Sequence, residues 1–189
     1  MKFFVKCLAT VVALTLIVYG FSTVLSTGGN TAALGAAQAQ GAKDIDGSVK
    51  AALRELDAEF KTLQAGVYES DDEKFVTRFH VLAEQDRLMV LTILKEKVSE
   101  RFRPAVIEYL TRVNYDEMII GNFEMDLSDG EVQFRASIDV EFGVINPEMV
   151  TQLTAVAVWH ADKYAPGIKE VCAGKTPEQA LNAIKKADE

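Results

Sequence analysis

The chain has 189 residues, 49% of them hydrophobic, with 28 acidic side chains against 20 basic ones and a formal net charge of −8. That length accommodates one ordinary core, since domains commonly hold about 100–200 residues. The acidity is concentrated after residue 39, where 28 acidic side chains face 18 basic ones; a field of that sign repels phosphate backbones and anionic lipid, so it argues against nucleic-acid binding and favours soluble, basic or polar partners.

Residues 1–39 hold two charges, Lys2 and Lys6, followed by a run from Cys7 to Phe21 that is apolar apart from Thr10, Thr15, Tyr19 and Gly20. A basic start and an apolar run read as an export signal. The chain then turns small and polar and reaches Ala37-Gln38-Ala39, the small-x-small pattern that a signal peptidase accepts, so cleavage is expected after Ala39. The alternative is an uncleaved anchor through residues 3–25, because residues 7–25 as a helix would span ~28 Å, close to the hydrocarbon thickness. Either reading places the body in the periplasm or otherwise outside the cytoplasm, with Lys2 and Lys6 inside. Cys7 and Cys172 lie at opposite ends of the chain and supply no disulfide framework.

A first helix is expected over residues 46–64, where Val49, Leu53, Leu56, Phe60 and Leu63 recur at helical spacing before Gly66. Residues 75–82 and 88–94 read as a β-hairpin, and the near-continuous apolar run of the second strand places it centrally in a sheet. Pro104 suits the first turn of a short helix with Val106, Ile107, Leu110 and Val113 as its buried stripe. Val132, Phe134, Ala136, Ile138, Val140 and Phe142 then alternate with polar residues, the pattern of a strand with one dry and one wet face. Ser128-Asp129-Gly130 joins it to a strand carrying Gly121, Phe123, Met125 and Leu127 on one face. Asn146-Pro147-Glu148 has the cap chemistry of a helix start, and that helix is expected to run to residue 164, before Pro166-Gly167. Thr176-Pro177-Glu178-Gln179 is a capping box for a last short helix that decorates the domain.

The order of helix, two strands, helix, two strands and helix predicts an α+β fold, an antiparallel sheet packed on one side by helices. Three segments follow: a leader over residues 1–39, a domain over 46–172 and a short-helix extension over 173–189.

No constellation of catalytic residues emerges, and no cofactor is expected. Gly174-Lys175-Thr176 lacks the earlier glycine and the preceding strand of a phosphate loop. His80 and His160 are too few and too far apart in sequence for a metal site. Glu124, Asp126, Asp129, Glu131, Asp139 and Glu141 crowd one hairpin, but the alternation projects most of them from the solvent face. On that polar face Glu124, Gln133, Arg135 and Asp139 are the candidate partner-binding residues.

Asn114-Tyr115, the run Gly121-Asn122-Phe123-Glu124-Met125-Asp126 and the run Asp129-Gly130-Glu131-Val132-Gln133-Phe134-Arg135 resemble the YbjN-like family of bacterial proteins. The likeness spans residues 75–164 and continues through Pro104, Asp139-Val140, Pro147-Glu148 and Asp162-Lys163-Tyr164-Ala165-Pro166. It implies a fold like that of type III secretion chaperones, often dimeric, and a sensory-transduction regulator with no catalytic residues. The leader and the tail after Ala173 depart from the compact cytosolic family pattern. The function expected is a non-enzymatic, chaperone-like or regulatory protein-interaction domain exported to or anchored at the bacterial envelope. A small-ligand or metal sensor coupled to the anchor is the alternative.

Overall fold

The computed structural model describes residues 44–187, so the expected cleavage after Ala39 and the anchor over residues 3–25 lie outside the described residues. Helix α1 (Ile45–Glu55) is capped by Asp44, whose carboxylate accepts from the Gly47 N–H at 2.7 Å, and it buries Ile45, Val49, Ala52 and Leu53. The helix stops well before residue 64. Asp57 takes a left-handed backbone at φ 53°, and the Ala58 N–H turns back to the Leu53 carbonyl at 3.1 Å. Phe60 then packs edge-on against Tyr68 at 6.0 Å, and Lys61–Gln64 becomes strand β1. An apolar spacing that fits a helix is overridden here by pairing with β2 (Val67–Asp71) across the left-handed turn at Gly66. Neither strand is announced by its residues, since Glu69, Ser70 and Asp71 are poor strand formers and β1 is exposed throughout.

Strands β3 (Phe75–Leu82) and β4 (Arg87–Leu94) form the expected hairpin, in register from Phe75 opposite Leu94 to Leu82 opposite Arg87. Helix α2 (Arg103–Glu117) carries Pro104 in its first turn, but at 15 residues it is longer than expected. Its buried stripe is Val106, Tyr109, Leu110 and Val113, whereas Ile107 faces outward. Strand β5 (Asn122–Met125) pairs with β6 (Val132–Asp139) as the alternation requires. The strand ends at Asp139, short of the expected Phe142: the Val140 N–H still donates in register to the Asp86 carbonyl at 2.8 Å, but the Asp86 N–H turns to the Ala83 carbonyl at 3.2 Å, so the return bond is lost and the chain turns at Gly143. Val140 stays buried while Phe142 is 95% exposed.

Helix α3 (Pro147–Cys172) is capped by Asn146, which accepts from the Met149 N–H at 2.8 Å, and it runs through Pro166 rather than stopping at Tyr164. Proline removes an N–H donor from the helix interior. The carbonyl left without its helical donor is that of Asp162; in the same stretch the Tyr109 hydroxyl donates to the Tyr164 carbonyl at 3.0 Å, which ties α2 to α3, and Gly167 leaves room for the tyrosine to approach the helix backbone. Helix α4 (Pro177–Lys186) has the full reciprocal capping box between Thr176 and Gln179, and its Ala180 and Leu181 belong to the main core.

The six strands form one antiparallel sheet in the order β1-β2-β3-β4-β6-β5, with β4 in the interior as its apolar run demands. Tyr68, Phe79, Val90, Ala136, Phe134 and Phe123 share the inner face by register. Helix α3 lies on that face, with the His160 ring stacked on Phe134 at 4.9 Å and Tyr164 edge-on to Phe123 at 6.1 Å. The Tyr68 hydroxyl donates to Asp46, which ties α1 to the same face.

Candidate functional site

The opposite face of the sheet carries the polar residues read from the sequence, and the register arranges them in rows across the strands. One row runs Lys61, Glu69, Arg78, Leu91, Arg135 and Asn122 over all six strands. The next runs Asp71, Val76, Ile93, Gln133 and Glu124. On the other side of the first row lie Val67, His80, Met89 and Ser137. The middle of the face is therefore the outward stripe of β4, Met89, Leu91 and Ile93. Leu91 is 7% and Ile93 5% exposed; Leu91 lies between Arg78 and Arg135, and Ile93 between Val76 and Gln133. Neighbours in a row stand about 5 Å apart, close enough for the aliphatic stems of arginine to cover an apolar side chain while the charge stays wet.

Two charge clusters flank that stripe. On one side buried Glu69 accepts from Arg78 Nε at 3.0 Å and Nη2 at 2.6 Å, and its other oxygen pairs with Lys61 at 2.7 Å. Lys61 first, and Arg78 with it, hold the Glu69 carboxyl below the usual carboxylate range against the opposing effect of burial. On the other side Glu124 accepts from Arg135 Nη2 at 2.7 Å and from Gln133 Nε2 at 3.0 Å. The structure thus brings Glu124, Gln133 and Arg135 together. Asp139 stands apart at the end of β6, paired with Arg87 at 2.8 Å. Arg87 first, and then the Glu141 N–H, hold the Asp139 carboxyl low.

Two buried nitrogens on this face, His80 Nε2 and Arg135 Nε, have no hydrogen-bond partner. Burial first, then the nearby Arg78 charge, lower the His80 pKa. His160 belongs to the other face, under α3, so the two histidines are separated by the sheet. Among the described residues no group of three or more His, Cys, Asp or Glu side chains could hold a metal ion. A cleft of about 350 Å³ beside Phe75, Leu94 and Ile168 is rimmed by the Lys74–Asp162 and Lys169–Glu96 ion pairs. Lys95, also on the rim, pairs outward with Asp71 at 2.5 Å. Among the described residues no helix is long and apolar enough to cross a membrane.

The motif residues singled out in the sequence have structural duties around this face. Asn114 on α2 accepts from the Phe123 N–H at 2.8 Å and donates to the Phe123 carbonyl at 2.9 Å, so its amide occupies the outer edge of β5 as a strand would. Gly121, at φ 79°, sits where a Cβ would press into Phe134 and the Arg135 carbonyl. Gly130, at φ 83°, lies against the Val98 carbonyl, and its own carbonyl accepts from the Val98 N–H at 2.8 Å. Sequence reasoning missed Lys61 and Glu69 because no local signal marks β1 and β2 as strands, and it missed Arg78, on the expected strand β3, because its partner Glu69 lies on β2.

Fold and face together define a small α+β domain whose antiparallel sheet carries helices on one face and a charge-framed stripe on the other. The chain belongs to the YbjN family, described as "Putative bacterial sensory transduction regulator", which it matches over residues 47–170. The match bears out the resemblance carried by the asparagine and glycine motifs. Similar solved structures include YbjN from E. coli, with 10% identity and a TM-score of 0.47 over 63% of this chain and 92% of that one. The ExsC-ExsE complex follows with 18% identity and a TM-score of 0.45, over 64% and 90%. The HopA1-SchA chaperone-effector complex has 11% identity and a TM-score of 0.45, over 61% and 87%. No curated protein matches the chain.

Proposed function

We propose that this chain is a non-enzymatic regulatory or chaperone-like domain that binds a protein partner on the outer face of its sheet. Its leader holds it outside the cytoplasm, either released by cleavage after Ala39 or anchored through residues 3–25. The observation that carries this reading is the β4 stripe. Leu91 and Ile93 lie in the middle of a sheet face on which long side chains, rather than a helix, flank the apolar residues. Arginine and glutamine side chains swing aside at little cost, and the apolar area they uncover is the kind of surface an extended protein segment buries. The family description, with its regulatory assignment, supports the same reading.

The test is a photo-crosslinking amino acid placed at Gln133 on the outer face and, as control, at Glu108 on exposed α2. The expected outcome is a discrete crosslinked product in cells from position 133 alone, abolished by Arg135→Glu. Identical products from both positions would end the proposal. The mass of the crosslinked species separates a second copy of this chain from a different protein. Intact-mass measurement decides the leader: a chain beginning at Gln40 in the soluble envelope fraction means cleavage, and a full-length membrane-bound chain means an anchor.

A further inference from the structure

Helix α4 has ten residues, and isolated helices below about 12–15 residues are marginal in water. Its existence therefore depends on docking, and it docks between α2 and α3. Three apolar side chains do the work: Ala180 and Leu181 are buried and Ile184 is half-buried, a spacing of i, i+1 and i+4. The link from α3 is the left-handed Gly174 at φ 102°, where an added Cβ would meet no neighbour within 4 Å; the turn is held by local bonds, the Lys175 N–H to the Glu170 carbonyl at 3.1 Å and the Lys175–Glu170 ion pair. All of α4 lies beyond residues 47–170, the part matched by the family.

An electrostatic feature of α2 points the same way. That helix ends on Asp116 and Glu117 with no basic residue in its last turn, although two carboxylates at the negative end of a helix dipole are unfavourable. The site calls for a cation from outside the helix. Lys185 of α4 supplies it, pairing with Glu117 at 2.7 Å and reaching Asp116 at 3.7 Å, while Tyr164 Oη donates to Glu117 at 3.2 Å. Groove and carboxylate pair together select an amphipathic helix with apolar residues at i, i+1 and i+4 followed by a basic residue, the helix-in-groove mode of recognition.

We infer that α4 is a displaceable latch over a helix-binding groove between α2 and α3, and that the partner this groove fits is an amphipathic helix with a basic C-terminal end. In this chain α4 is the competing ligand in cis. The inference is independent of the outer-face reading, because α3 packs on the opposite side of the sheet.

The test uses the full chain, its Lys185→Glu variant and a fluorescent peptide of residues 174–189. Amides of α4 are expected to exchange with deuterium at least about tenfold faster than those of the α3 interior, as an element that opens by itself does. Lys185→Glu removes the ion pairs and should speed α4 exchange by roughly two- to fivefold. Because the peptide binds only the open form, its affinity for the variant should rise by the same factor. Exchange of α4 at the rate of the core overturns the latch. Faster exchange in the variant without tighter peptide binding overturns the groove as a receptor site.

Discussion

At Gly167 a single missing methyl group sets how closely α2 and α3 approach. A Cβ there would overlap Tyr109 Oη, the group that donates to the Tyr164 carbonyl, two residues before Pro166. Gly167→Ala is therefore expected to destabilise the protein by about 1–3 kcal/mol through overpacking. Tyr109→Phe alone should cost about 1 kcal/mol for the lost hydrogen bond. Because both act at one contact, the double variant should be less destabilised than the sum, measured by urea denaturation; strict additivity would show that the two residues do not meet.

His160 makes a second residue-scale prediction. Burial lowers its pKa, against the opposing effect of its hydrogen bond to the Val156 carbonyl, and Lys163 adds to the lowering. A histidine depressed in the folded state is protonated first in the unfolded chain. The stability it contributes is thus present above about pH 6.5 and is lost as pH falls from there toward the depressed value. His160→Phe keeps the ring stack on Phe134 and should flatten much of that limb, with His80 supplying the remainder. Urea midpoints at about pH 7.5 and about pH 5.5 measure the effect; an unchanged difference between the two pH values refutes it.

Among the elements, the two edges of the sheet are treated differently. Asn114 fills the edge of β5, whereas β1 is a short, fully exposed edge strand. Asn114→Ala should leave the Phe123 N–H and carbonyl without their partner, cost about 1–3 kcal/mol and raise concentration-dependent aggregation by freeing a strand edge. Light scattering after mild heating checks this, and unchanged scattering with unchanged stability would remove the edge-cap role. Strand β2 offers an acid-limb test. Glu69 is a depressed carboxylate, so its contribution is present above the ordinary glutamate range and is lost as pH falls through it. Glu69→Gln should erase that part of the acid limb while leaving the histidine limb intact, as read from denaturation midpoints below about pH 5.

Over the whole molecule, one main core includes residues from α1, from β2 through β6 and from α2, α3 and α4. A single core of this kind is expected to unfold in one cooperative transition, with α4 opening locally beneath it. The exposed apolar side chains Ile119 and Phe142, at 97% and 95% exposure, lie outside that core. Replacing both with serine should change stability by less than about 0.5 kcal/mol each, so a larger loss in thermal melts would place them in a packed contact.

Local chemistry made part of this protein legible from the sequence alone. The cap residues Asn146 and Thr176, the left-handed glycines at the turns, the β3–β4 and β5–β6 hairpins and the central place of β4 all follow from propensities and periodicities that act within a few residues. The asparagine and glycine motifs carried the family for the same reason. What tertiary structure alone decided was the end of α1 at Glu55, the two strands that follow it, the passage of α3 through Pro166 and the ion-pair rows over Leu91 and Ile93. Each depends on contacts that no local periodicity announces: Tyr68 for Phe60, Tyr109 for the packing of α3 beside the proline, Arg78 and Arg135 for the stripe between them. Phe60 and Tyr68 are close in sequence but meet only across the β1–β2 turn, and the other partners lie far apart along the chain, so their energy enters only when the sheet has assembled.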